Sequence, residues 1–70
     1  MSTATKVTKA QQRMLRDALN NGGKIGVGFN AQRVNNAHRL ADMGLVRTYF
    51  YGVRIIELTE AGRIQAAKGL

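Results

Sequence analysis

Residues 40–63 constrain the fold of this chain more than any other stretch. They read LADMGLVRTYFYGVRIIELTEAGR. A helical apolar pattern ends at Gly44, and two runs rich in β-branched and aromatic residues follow, with Gly52 between them. Such runs favour strands, and a glycine between them favours a tight reversal. The stretch therefore predicts a β-hairpin of Val46–Tyr51 and Val53–Leu58 with a helix on either side.

Upstream of the hairpin, the pattern predicts a helix and then a short extended segment. Apolar residues repeat at three- and four-residue spacing from Lys9 to Asn20, which is typical of an amphipathic helix. Thr8 can cap this helix, and Gln11 stands three residues later, as a capping box requires. The run Lys24–Phe29 alternates but contains glycines, and it is either a short edge strand or a flexible connector.

Two further helices flank the hairpin. Asn30 is a favoured N-cap residue, and it precedes a helix predicted over Ala31–Met43. The apolar positions of that helix lie on one side, with His38 packed at their edge, and amides with a guanidinium lie on the opposite side. Thr59 is the predicted cap of a last helix, from Glu60 to about Lys68.

Length and composition limit the classes of protein to which this chain can belong. Seventy residues fit one domain, predicted at 8–70 after a disordered tail at 1–7. Cysteine is absent, which excludes disulfides and thiolate metal sites, and no apolar run approaches the roughly 20 residues of a membrane span. The four acids are scattered and the single histidine lacks a catalytic partner. We therefore expect a cytoplasmic protein that is not an enzyme and binds no metal, cofactor or small-molecule substrate.

The charge balance indicates the class of partner. Eleven Lys and Arg residues against four Asp and Glu give a formal net charge of +7. On so small a body this charge favours polyanions. Nucleic acid is accordingly the first partner to consider, and an acidic protein surface is the second.

The hairpin and its flanks also carry a family resemblance. The sequence LxxMGLV, a short hairpin and then LTEAGR resembles part of the MarR-like and related winged-helix proteins, over Ala31 to Ala66. The resemblance implies a compact α+β winged-helix domain in the order helix–(short strand)–helix–β-hairpin–short helix. It also implies that helix 31–43 enters the major groove and that hairpin 46–58 touches the DNA backbone or minor groove. Stand-alone chains of this kind resemble small phage or plasmid products.

The chain departs from that family in one respect. A full helix-turn-helix has a separate supporting helix before the recognition helix. Only about nine residues, Gly22–Asn30, lie between the first two predicted helices, too few for a helix with a turn at each end. The supporting helix is therefore either missing or fused into 30–43.

Candidate DNA contacts fall into two sets. Asn and Gln can each form two hydrogen bonds with adenine, and Arg can form two with guanine. The amide-rich helix face could therefore read base edges; the alternative is an ordinary solvated face. Cations near the hairpin could contact phosphates unless they serve only solubility. The first set is Gln32, Asn35, Asn36 and Arg39, with Arg33 at its boundary; the second is Lys24, Arg47 and Arg54.

The sequence as a whole predicts a DNA-binding protein, a small transcriptional regulator or accessory factor that acts on double-stranded DNA. A homodimer would reach two half-sites. The alternative is a protein-interaction module that binds and inhibits or redirects a larger host or cellular machine. The aromatic residues at 49–51 alternate between faces; core packing or a dimer contact is favoured for them, and stacking on unpaired bases is the alternative.

Overall fold

The helices and strands follow one another along the chain in the order that the sequence predicts. The computed structural model describes residues 7–68, so the predicted tail, apart from Val7, lies outside the described residues. Val7 itself is half-buried and packs against the core. The described residues form a small α+β domain with three helices and a three-stranded antiparallel sheet. Its elements are α1 (Lys9–Asn20), β1 (Lys24–Gly26), α2 (Ala31–Asp42), β2 (Val46–Tyr51), β3 (Val53–Leu58) and α3 (Glu60–Lys68).

Side chains cap the first two helices at the predicted residues. Thr8 Oγ1 accepts a hydrogen bond from the Gln11 N–H at 3.1 Å, and Gln11 Oε1 accepts one from the Thr8 N–H at 3.0 Å. This reciprocal capping box satisfies two backbone donors at the start of α1. Asn30 Oδ1 accepts from the Arg33 N–H at 3.1 Å and so caps α2. Both helix starts follow from short-range sequence signals.

The sheet has the strand order β1–β3–β2, and both pairings are antiparallel. Its register places Ile25 opposite Ile56 and Val46 opposite Leu58. Directly opposed residues point to the same side of a sheet, so these four side chains share one face, which packs against the helices. We call it the inner face. The other side, the outer face, carries Lys24, Gly26, Arg47, Tyr49, Tyr51, Val53, Ile55 and Glu57.

The run Lys24–Phe29 is an edge strand at its start, not a connector throughout. Its first three residues pair with β3, and the Val27 N–H adds a hydrogen bond to the Arg54 carbonyl at 2.8 Å. The chain then turns directly into α2. No helix lies between α1 and α2 in this described segment, so a separate supporting helix is absent there, as the short interval predicts.

A Schellman motif ends α2 where the sequence predicts a stop. Met43 is the C-cap residue, and Gly44 follows it with a φ of +78°. The Leu45 N–H donates to the Leu40 carbonyl at 3.0 Å, and the Gly44 N–H donates to the Ala41 carbonyl at 2.9 Å. Glycine adopts the left-handed conformation of this motif without the strain that a β-carbon would bring.

The start of α3 is joined to this same turn. Thr59 Oγ1 donates to the Gly44 carbonyl at 2.7 Å and accepts from the Gly62 N–H at 3.0 Å. The Thr59 N–H donates to the Leu45 carbonyl at 3.0 Å. Gly62 lies directly against that carbonyl, with no room for a side chain. Thr59 therefore caps α3, as predicted, and also fastens α3 to the end of α2.

The core lies between the inner face and the helices. Leu15, Leu40 and Ile56 are its largest fully buried side chains, one each from α1, α2 and β3. α3 closes the domain against α1, where Gln12 Nε2 donates to the Gln65 carbonyl at 2.9 Å. In the part of the chain that the structure describes, no helix is both long and apolar enough to cross a membrane.

The aromatic residues of the hairpin are not part of this core, so core packing, one of the two roles favoured for them, is not what the structure shows. Phe50, next to the hairpin turn, points to the inner side of the sheet and is still 64% exposed. Tyr49 and Tyr51 on the outer face are 39% and 82% exposed. Contact of these rings with a second copy of the chain stays a prediction.

Gly62→Ala is expected to destabilise the fold, although alanine is the better helix former. Propensity alone would raise the free energy of unfolding by roughly 0.5–1 kcal/mol. A β-carbon at this position would collide with the Leu45 carbonyl, however, and overpacking costs about 1–3 kcal/mol. Chemical denaturation should therefore show a lower unfolding free energy. Ala61→Gly, at the exposed neighbouring position, is the control that loses propensity alone. A Gly62→Ala protein more stable than the parent would contradict the close approach.

Candidate nucleic-acid interface

α2 presents polar side chains to solvent over most of its length. Of the five residues of this helix predicted to contact DNA, four are exposed, and the only acid of α2 is its final residue, Asp42. His38 is exposed as well, so the prediction that it packs at the edge of the apolar face is wrong. The fully buried residues of α2 are Ala37 and Leu40, too narrow a stripe to include it. The four exposed candidates are Gln32, Arg33, Asn35 and Arg39.

Asn36 has a different environment from its neighbours. It is half-buried at the contact with α1, where its Oδ1 accepts a hydrogen bond from Gln11 Nε2 at 3.3 Å. Gln11 is only 3% exposed, and its Oε1 is already used in the capping box. A buried amide donor without a partner costs free energy, so Asn36 has a structural role whether or not it also meets a ligand.

A row of cations on α1 extends the polar surface of α2, and the sequence interpretation missed it. Lys9, Arg13 and Arg16 recur at spacings of four and three residues, which places them on one side of the helix. All three are exposed. Asp17 is the acid beside them. The spacing is visible in the sequence, and it is the signal that identifies this row, which we call the α1 basic row.

A cleft connects the α1 basic row to α2. It has a volume of about 330 Å³ and lies between α1 and the first turns of α2. Arg13 lines it from α1, while Gln32 and Arg33 line it from α2. Asp17 also lines the cleft, so the charge of the cleft is mixed but predominantly positive. The two helices thus form one continuous surface of guanidinium and amide groups.

The three cations predicted near the hairpin do not all join that surface. Lys24 and Arg47 lie in one row of the outer face, on either side of Glu57, whose Oε1 is 3.9 Å from Arg47 Nη2. Since α2 packs on the inner face, these two cations point away from it. Arg54 is half-buried on the inner side near the hairpin tip, opposite Phe50. Of the three, it is the one that shares a side of the sheet with α2.

The surface of α1 and α2 and the outer face of the sheet both offer positive charge and hydrogen-bond donors. Over residues 7–68 no group of three or more His, Cys, Asp or Glu side chains is placed to hold a metal ion. The arrangement suits noncovalent recognition of an anionic partner, in which Arg and amide groups donate to oxygen acceptors.

Comparison with protein-family models, with curated proteins and with solved structures finds no match to this chain.

Asn36→Ala and Asn35→Ala are expected to differ in stability, because the Asn36 amide has a structural role and the Asn35 amide faces solvent. Asn36→Ala removes the acceptor of the buried Gln11 amide and should lower the unfolding free energy by about 1–3 kcal/mol. Asn35→Ala, one position along the same helix, should stay within roughly 0.5 kcal/mol of the parent. Urea denaturation of both variants measures the difference. Equal stabilities would mean that the Gln11–Asn36 hydrogen bond contributes nothing measurable.

Proposed function

We propose that this protein binds double-stranded DNA as a small, cytoplasmic transcriptional regulator or accessory factor with a winged-helix-like arrangement. The observation that carries the proposal is the continuous surface of α1 and α2, in which exposed amides and guanidinium groups lie next to the α1 basic row. Amide and guanidinium groups are the side chains that read base edges, and cations at the border of such a face suit phosphates.

The proposed base contacts come from the first turns of α2. A recognition helix typically reads bases with its N-terminal residues, and here Gln32, Arg33 and Asn35 occupy that end and are exposed. Arg39 lies one turn further on and can extend the contact. The first turn of α2 contains no acid that would repel the phosphate backbone.

The α1 basic row supplies the proposed phosphate contacts. In a full helix-turn-helix the helix before the recognition helix crosses the backbone. This chain has no separate supporting helix between α1 and α2, so α1 is the helix adjacent to the reading surface. Arg13 and Arg16 are exposed on it and can each neutralise a phosphate. Arg54, near the hairpin tip, is proposed as the contact from the wing.

The test is a mobility shift with a pool of random-sequence duplexes, repeated across about 50–200 mM salt, since phosphate contacts release counterions and make binding salt-dependent. Arg13→Ala should weaken binding to every duplex alike and reduce the salt slope by about one. Arg39→Ala should instead relax the sequence preference of the selected duplexes, at a cost of about 1–3 kcal/mol at the contacted base.

Lys68→Ala is the matched control. It removes one positive charge from α3, a helix that carries none of the proposed contacts, and it should leave both the affinity and the salt slope nearly unchanged. If Arg13→Ala, Arg39→Ala and Lys68→Ala all bind duplex DNA alike, the proposed surface is wrong. If duplex binding is absent at low salt, the alternative of a module for an acidic protein surface takes its place.

A further inference from the structure

The outer face of the sheet is a second surface that the proposed duplex contact does not use. Tyr49 and Tyr51 are alternate residues of β2, so both rings stand on this face, roughly 7 Å apart along the strand. Ile55 lies opposite Tyr49, and Val53 lies opposite Tyr51. The helices pack on the other side of the sheet, which leaves these side chains facing solvent.

A shallow cleft runs across this face. Its volume is about 230 Å³, and Tyr49, Tyr51 and Ile55 line it together with Gly26. A β-carbon at Gly26 would lie 3.4 Å from Val53 Cγ2, so the missing side chain is what leaves an apolar floor open to solvent. The cleft is smaller than the roughly 300–1,000 Å³ of sites for whole small molecules. It suits flat rings that lie against the two tyrosines, not an enclosed small molecule.

Cations border one end of the cleft. Lys24 lines it directly, and Arg47 precedes Tyr49 by two residues on the same face. Glu57 stands between the two cations and contacts Arg47, so it offsets part of their charge. Positive charge at this end can hold a phosphate, but the two rings must provide most of the binding energy.

We propose that this outer-face cleft binds single-stranded DNA, with unpaired bases stacked on Tyr49 and Tyr51 and a phosphate held by Lys24 and Arg47. Aromatic rings beside cations are the combination that binds single strands with little sequence preference. The inference does not rest on duplex binding by α1 and α2, because it concerns different residues on the opposite side of the sheet.

Charge complementarity selects this occupant over a second copy of the chain. Each copy carries a formal net charge of +7, so two copies face to face on a cation-bordered surface would repel each other, whereas a polyanion is attracted. The amide in the cleft, Asn21, already donates from Nδ2 to the Lys24 carbonyl at 2.9 Å. Apart from the tyrosine hydroxyls and Lys24 the floor is mainly apolar, so stacking and phosphate contacts, neither of which needs a ribose 2′-hydroxyl, provide the proposed binding and a deoxyribose strand suffices.

The binding test uses fluorescence anisotropy of a labelled oligo(dT) of about 12 nucleotides, which is within the roughly 4–16 nucleotides that one single-strand-binding OB-fold covers. An abasic deoxyribose-phosphate oligomer of equal length carries the same charge without bases. Oligo(dT) should bind at least about tenfold more tightly than the abasic oligomer, since two stacked bases contribute. Equal affinity for the two would overturn the proposal, and so would tighter binding of oligo(rU) than of oligo(dT).

Substitutions at the hairpin tip separate stacking from general apolar contact. Tyr51→Leu keeps an apolar side chain but removes the ring, and it should weaken oligo(dT) binding about fivefold or more while leaving the abasic oligomer unaffected. Tyr51→Phe keeps the ring and should bind like the parent. Phe50→Leu removes an exposed ring from the opposite side and is the matched control. Equal losses in Tyr51→Leu and Phe50→Leu would overturn the proposal.

Intrinsic fluorescence gives an independent readout. The chain has two tyrosines and no tryptophan, and both tyrosines line the cleft, so tyrosine emission reports on this site alone. Oligo(dT) should quench it, and the abasic oligomer should not, after correction against free tyrosine titrated in parallel. Unchanged emission at saturating oligo(dT) would place the single strand elsewhere and overturn the proposal. Because duplex binding is measured through the α1 and α2 variants, failure of either proposal leaves the other identifiable.

Discussion

The contact between the end of α2 and the start of α3 is the constraint on which the rest of the fold depends. Thr59 donates its hydroxyl to the Gly44 carbonyl and its N–H to the Leu45 carbonyl, and Gly62 packs against the latter. These contacts bring the two ends of the hairpin together, because β2 begins just after the turn and β3 ends just before Thr59. The position of α2 relative to the sheet, and hence of its outer surface, follows from this junction.

This junction also gives a physical reason for the two short sequence patterns that flank the hairpin. In LxxMGLV, glycine makes the left-handed turn and leucine supplies the carbonyl; in LTEAGR, threonine caps α3 and glycine leaves room for that carbonyl. The two patterns form one contact although they lie about 15 residues apart, as the separation of Thr59 and Gly44 shows. This contact explains why the two sequence patterns occur together, without any reference to function.

Most of the fold was predictable from the sequence because local signals decide it. The capping box at Thr8, the stop at Gly44, the reversal at Gly52 and the alternation of β3 depend on neighbouring residues only, and the two hairpin strands occupy the predicted residues. The sites were less predictable. Helical spacing put Asn36 on an outer face, but the packing of α1 against α2 draws it to Gln11. Likewise, only the sheet register places Lys24 and Arg47 on the side opposite α2.

The described residues leave one face of the sheet open because their three helices lie on its other side, and this arrangement determines how the two proposed sites relate. The surface of α1 and α2 and the outer-face cleft point in different directions, so one nucleic-acid segment bound rigidly at the first cannot also occupy the second. If both proposals hold, the protein can contact a duplex and an unpaired strand at the same time. The net charge of +7 favours such simultaneous binding, because neutralising part of it at one site leaves cations at the other. If only one of the two surfaces binds nucleic acid, duplex and single strand instead either compete for that surface or do not affect each other's binding.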